Sequence, residues 1–156
     1  NRELFAHFVD QALSKRFQSV GIDEKDTDTE AVVQMRPRLM RVLGQYGTDI
    51  SAREAAASAA MKYLHAPESI SSDLGREALR VTAMSDDGEL YAEYKQAYLE
   101  ARSEDLKSNI LSSIYFDKPT VIRSHLDFSI SDAVPAGDTR TGLYFYATIL
   151  DDHAIL

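Results

Sequence analysis

Four histidines, His7, His65, His125 and His153, are the side chains best suited to holding a transition metal or moving a proton near neutral pH. A zinc peptidase needs two of them one helical turn apart with a glutamate beside the first, since that spacing aims both imidazoles at one ion. No His-Glu-x-x-His string occurs, and the four are widely separated. His7 and His125 fall beside apolar stripes and read as packing residues. His65 falls in a helix's last turn, where an imidazolium offsets the carbonyl end of the helix dipole. Adjacent carboxylates occur at Asp86-Asp87, Glu104-Asp105 and Asp151-Asp152. Neighbouring residues on a helix do not face one another, so these read as caps or solvated groups. The acidic stretch from Asp23 to Glu30 lacks the glycine that a calcium loop needs at its sixth position. No phosphate-cradling glycine string and no Gly-x-Ser-x-Gly elbow occurs. Cysteine is absent, which removes thiolate catalysis, disulfides and thiolate-bound metals. The residues therefore supply no catalytic residue, no metal ligand set and no cofactor site.

Two groups are better suited to binding. Arg36, Arg38 and Arg41 cluster around one helix turn, where guanidinium forks could meet an acidic surface or a peptide carboxylate. A solvated face is the plainer reading. Tyr91, Tyr94 and Tyr98 recur at three- and four-residue intervals. They either line a peptide groove or pack between helices with their hydroxyls at the edge. These six are the peptide-contact candidates. The chain carries 17 basic and 25 acidic residues, a formal charge of -8. That balance disfavours nucleic acid, whose binding rests on cations displacing counterions from phosphates. It also disfavours an anionic membrane surface and weakly favours cationic partners. No run of about 18 apolar residues predicts a membrane span, and no signal peptide is visible. The compartment stays open between a cytoplasmic and an exported parent.

The elements that must position these residues are all helical. Leu4, Phe5, Phe8, Val9, Leu13, Phe17 and Val20 make an apolar stripe that Gly21 ends. Thr27 with Glu30 has capping-box spacing, with Thr29 as a competing cap. The following stripe, Val32 to Tyr46, runs through Pro37 without losing register, which predicts one bent helix ended by Gly47. Ser51 with Glu54 caps an alanine-rich helix that closes at His65, Ala66 and Pro67. Another helix begins near Ser71 or Ser72. Asp86 with Glu89 repeats the capping box before the tyrosine stripe. Ser103 caps a helix with Glu104 and Asp105 in its first turn, and Pro119 starts the next. Val134 to Gly137 reads as a loop, with Thr139 capping a last helix that holds Leu143, Tyr144 and Tyr146.

Helix starts thus recur about every 15 to 21 residues, the rhythm of a short two-helix repeat. Short connections make successive helices antiparallel neighbours. None can bury its stripe alone, so stacking is required. The predicted fold is an all-α solenoid of about eight helices, HEAT- or armadillo-like, with a compact bundle as the rival. Residues 1–156 read as a single helical-repeat domain.

The run MRPRLMRVLGQYG, the helix AREAAASAAMKYLH and the stretch from DLGREALRVTAMSDDGELYAEYK to DKPTVIRSHLDFSI resemble the C-terminal helical domain of M1-family zinc aminopeptidases, the type also found in the endoplasmic reticulum. The shared features fall on Met35-Arg36, Gly47, Asp73-Leu74, Gly88 with Tyr91, Ser103-Glu104, and Asp117 before Pro119. The resemblance covers roughly residues 28 to 150. It departs at Gly75, where arginine is common, and at Lys118, which intervenes before Pro119. The resemblance implies a non-catalytic domain that packs over a separate catalytic domain of the same polypeptide, encloses the substrate cavity and helps select peptides for N-terminal trimming. Zinc would belong to that separate domain, since neither the His-Glu-x-x-His nor the Gly-x-Met-Glu-Asn-type motif stands in this chain. On that reading the chain is a piece of a larger C-terminal domain, inactive alone, and an exposed apolar end predicts either missing flanking helices or self-association through the terminal helices. The alternative is an independent HEAT-like protein-interaction scaffold.

Overall fold

A computed structural model of the chain describes the backbone of residues 1–153 and the side chains of residues 1–144. Among the described residues there are eight α-helices, one 3-10 turn and no strand. The helices are α1 (Arg2–Val20), α2 (Glu30–Tyr46), α3 (Ser51–His65), α4 (Ser72–Ser85), α5 (Tyr91–Glu100), α6 (Glu104–Leu111), α7 (Pro119–Ser129) and α8 (Ala136–His153), with the 3-10 turn at Pro67–Ser69. Among the described residues no helix is long and apolar enough to cross a membrane. The chain divides into two compact units, Asn1–Ser85 and a second that begins at Asp86.

Local chemistry explains most of the boundaries. Gly21 ends α1 at a φ of 67°, a conformation that costs glycine little. Pro37 lies inside α2, which stays one helix across it. Ser103 caps α6 by accepting the Leu106 amide at 3.1 Å, and Pro119 opens α7, where its missing N–H is no loss. Asp86 is not the predicted cap: the N-cap of α5 is Leu90, without a side-chain capping bond, and Asp86 instead accepts the amides of Gly88 at 2.7 Å and Leu90 at 3.1 Å in the turn before it.

Other predicted caps are corrected. Neither Thr27 nor Ser51 stands at a cap position. Thr29 is the N-cap of α2 and Ile50 that of α3, and neither side chain makes a capping bond. Ser51 instead donates its amide to Asp49 Oδ1 at 2.9 Å. Ala136 and Gly137 belong to α8, and Thr139 lies in its first turn. The Pro135 carbonyl accepts the Asp138 and Thr139 amides there, so backbone replaces the expected hydroxyl cap. The side chain of Tyr146 and that of His153 lie outside the described residues.

In the first unit α1 packs on α2, and α4 packs on both α2 and α3. Phe5, early in α1, stacks edge-on against Tyr46 at the end of α2 with centroids 5.7 Å apart. The Gly21 carbonyl, after α1, meets Arg36 within α2. The two helices therefore run antiparallel. Asp10 ties them further by accepting the Thr48 amide. Two glycines let α4 approach closely. A Cβ on Gly44 would overlap the Val81 side chain, and one on Gly75 would overlap the Tyr63 ring. The space that arginine would need at position 75 is therefore taken by an aromatic ring. The core of this unit is built from Met40, Leu43, Ala56, Ala60, Leu74 and Leu79.

The predicted α1 stripe is buried only in part. Ala6, Val9, Phe17 and Val20 face inward, whereas Leu4, Phe5 and Phe8 remain exposed. Periodicity placed all of them on a broad apolar arc, but α2 covers a narrower strip.

In the second unit α5 packs on α6, and α8 packs on α6 and α7. Its centre is aromatic. Tyr91 and Tyr94 both meet the Phe116 ring edge-on, at 5.9 and 5.3 Å between centroids. Tyr98 meets Phe128 at 5.5 Å. Gly142 permits close contact of α8 with α7, since a Cβ there would press on Ser129.

Candidate functional site

Arginines 38 and 41 stand three residues apart on α2, which puts both on one face of the helix. Opposite them α4 carries Asp73, Arg76 and Glu77. Together with Gln34 and Pro37 these residues line a groove of about 430 Å³. Arg38 is exposed and makes no hydrogen bond or ion pair among the described residues. Arg41 is also exposed, and its charge partner is Glu77, with Nε 3.9 Å from Oε2.

Glu77 sits at the centre of the charges. The residue is only 8% exposed, yet its carboxylate has three guanidiniums around it. Besides Arg41 these are Arg76, with Nε 3.8 Å from Oε1, and Arg80, with Nη1 3.6 Å from Oε2. None of the three separations reaches hydrogen-bond distance. Arg76 also donates to Asp73 Oδ1 at 3.0 Å. The groove lining thus carries three guanidiniums against two carboxylates, a local positive surplus on a chain of net charge -8.

Arg36 stands apart from this groove. It is wholly buried. Its Nε donates to the Gly21 carbonyl at 3.1 Å and its Nη2 to Asp28. The Lys25 amide and the Arg36 guanidinium together hold the Asp28 carboxyl below its ordinary range. Arg36 thereby fastens the 21–29 connection to α2, and Nη1 has no hydrogen-bond partner among the described residues.

Tyr91, Tyr94 and Tyr98 share one face, as their spacing predicts, and that face is buried. The hydroxyls of Tyr91 and Tyr98 are buried without a hydrogen-bond partner among the described residues. Desolvation, with a smaller contribution from Asp127, pushes the Tyr91 hydroxyl up to about 12. It therefore stays protonated at any physiological pH. His125, beside Tyr91 at 5.9 Å between ring centroids, is fully buried and donates from Nε2 to the Gly142 carbonyl at 2.9 Å. Burial pushes its protonation below the ordinary 6.5, and the Gly142 carbonyl partly opposes this.

Among the described residues no group of three or more His, Asp or Glu side chains could hold a metal ion. His7 is exposed and bonded to Gln11 at 2.9 Å, and His65 is exposed in the last turn of α3. The structure brings Arg38 and Arg41 together with Asp73, Arg76 and Glu77. The last three are not among the six peptide-contact candidates read from the sequence. Their signal was present as alternating charges at 73, 76, 77 and 80, at helical spacing.

No protein-family model matches the chain, and no curated protein matches it either.

Proposed function

We propose that this chain is a non-catalytic helical interaction scaffold, built of HEAT-like helix pairs, whose α2–α4 groove takes a carboxylate-rich peptide segment. The observation that supports this most is the pair of exposed guanidiniums, Arg38 and Arg41, at the rim of a groove bearing a positive surplus on an acidic chain. Guanidinium forks match carboxylates in two-point geometry. Stacked helices supply a rigid surface on which such forks keep their spacing.

The test is titration of a fluorescent glutamate-rich peptide into the chain. Binding should weaken as salt rises, because exposed charges are screened beyond about 10 Å at 0.1 M. Reversing both rim charges, Arg38→Glu with Arg41→Glu, should reduce affinity at least about tenfold. Reversal at exposed Lys15 on α1 should leave it unchanged. Equal loss from both changes would defeat the assignment of the groove.

A second reading makes the same scaffold the C-terminal domain of an M1-type zinc aminopeptidase, with zinc and catalysis on a separate domain of a longer polypeptide. Its support is the order of helix starts at 72, 104 and 119, which follows the Asp-Leu and Ser-Glu features of the resemblance and, with Lys118 as a departure, Asp117 ahead of Pro119. On that reading the chain alone has no turnover on aminoacyl arylamides, with or without added zinc. Zinc-dependent turnover by this chain would remove both readings.

A further inference from the structure

We infer that Glu77 sets the ligand class of the α2–α4 groove, admitting separate carboxylates at its rim and rejecting a compact phosphate dianion at its centre. This rests on the groove being the binding site proposed above. Of the arginines around Glu77, Arg41 of α2 and Arg76 of α4 line the groove, and Arg80 lies outside its lining; guanidiniums from two helices at one point would ordinarily suit a phosphate, because a dianion with several acceptor oxygens satisfies several of them at once. Here an internal carboxylate already stands there. Glu77 lies 3.6 to 3.9 Å from Arg80, Arg76 and Arg41 and is nine-tenths buried. It is covalently part of α4 and cannot be displaced by diffusion. A phosphate entering the centre would face that charge at short range, in a part-buried setting where screening is weak.

The outer rim differs. Arg38 has no partner of its own among the described residues, and Arg41 reaches Glu77 only at 3.9 Å. On one helix face at i and i+3, their side chains start about 5–6 Å apart. That spacing suits two separate carboxylates, such as a pair at i and i+3 or i+4 on a helical ligand, rather than one small ion. Glu77 thus acts as a specificity-determining residue. It attracts Arg41 at the rim and excludes compact anions from the centre by repulsion.

The experiment follows displacement of the labelled glutamate-rich peptide from the wild-type chain by inorganic phosphate and, at matched ionic strength, by sodium chloride. Phosphate should displace no more peptide than chloride does. In Glu77→Gln, with its helical circular dichroism and melting checked against wild type, phosphate should compete at least about tenfold more strongly than in wild type. Phosphate that outcompetes chloride in the wild type would overturn the inference without any variant. So would a folded Glu77→Gln chain with unaltered selectivity. In either case an intact peptide affinity that falls with the rim reversals leaves the groove assignment standing. Absence of peptide binding to the wild type removes the groove assignment and the inference resting on it.

Discussion

Two buried tyrosine hydroxyls in the second unit carry a cost that their rings outweigh. A buried hydroxyl without a partner is worth about 1–3 kcal/mol of lost solvation, whereas an aromatic ring removed from water contributes comparable or larger stabilisation through area and edge-on contacts. Tyr98 has 1% exposure and an unpartnered hydroxyl. Tyr98→Phe should therefore keep the ring against Phe128 and be neutral or stabilising by up to about 1 kcal/mol in urea denaturation. Tyr98→Ala should cost about 3–5 kcal/mol. A clear loss in the Phe variant would show that the hydroxyl makes a contact of its own. His125 gives a pH signature at the same scale. Its folded protonation lies below 6.5, so between that folded value and 6.5 the unfolded chain binds more protons. Stability is full above 6.5 and declines as pH falls below it, by at most about 1.4 kcal/mol per pH unit for one group. His125→Gln should flatten the stability profile just below pH 6.5, and an unchanged slope would assign it to other groups.

Glycines decide how closely the helices approach. Alanine at a helix interior is favoured over glycine by about 1 kcal/mol, so Gly75→Ala in α4 would stabilise an isolated helix. In the folded chain the new methyl overlaps Cγ and both Cδ carbons of Tyr63. The ring is 3% exposed and packed between α3 and α4. Overpacking of this kind costs about 1–3 kcal/mol and exceeds the propensity gain. Gly75→Ala should thus be destabilising on balance, measurable as a lower denaturation midpoint. Gly137→Ala in α8 is the control, since a Cβ there meets nothing within 4 Å. As the second residue of α8 it should lose nothing to packing and gain less than an interior position does.

For the molecule as a whole, the first unit has its own core and its own helix contacts. A fragment ending at Ser85 exceeds the roughly 55–65 residues at which many domains fold alone. It should show helical circular dichroism and a cooperative melt. A non-cooperative melt would make the first unit dependent on the second. Much of this organisation was legible in the residues. Gly21, Ser103 and Pro119 mark boundaries through interactions confined to a few neighbouring residues. The all-α class followed from apolar periodicity, and the shared face of Tyr91, Tyr94 and Tyr98 from spacing. The roles within one candidate group were not legible. Arg36 and Arg38 stand two residues apart, yet one is sealed against Gly21 and Asp28 while the other lines an open groove. Periodicity assigns a face to each residue, but what covers that face comes from segments 8 to 15 residues upstream or from another helix. In the same way α4 supplies Glu77 to the arginines of α2, and α2 leaves Leu4 and Phe8 of α1 uncovered. Helix position and type were legible from breakers, caps and apolar spacing within a turn or two, which the sequence alone contains. Burial, charge pairing and groove shape depend on which surfaces meet, and only the tertiary packing decided those.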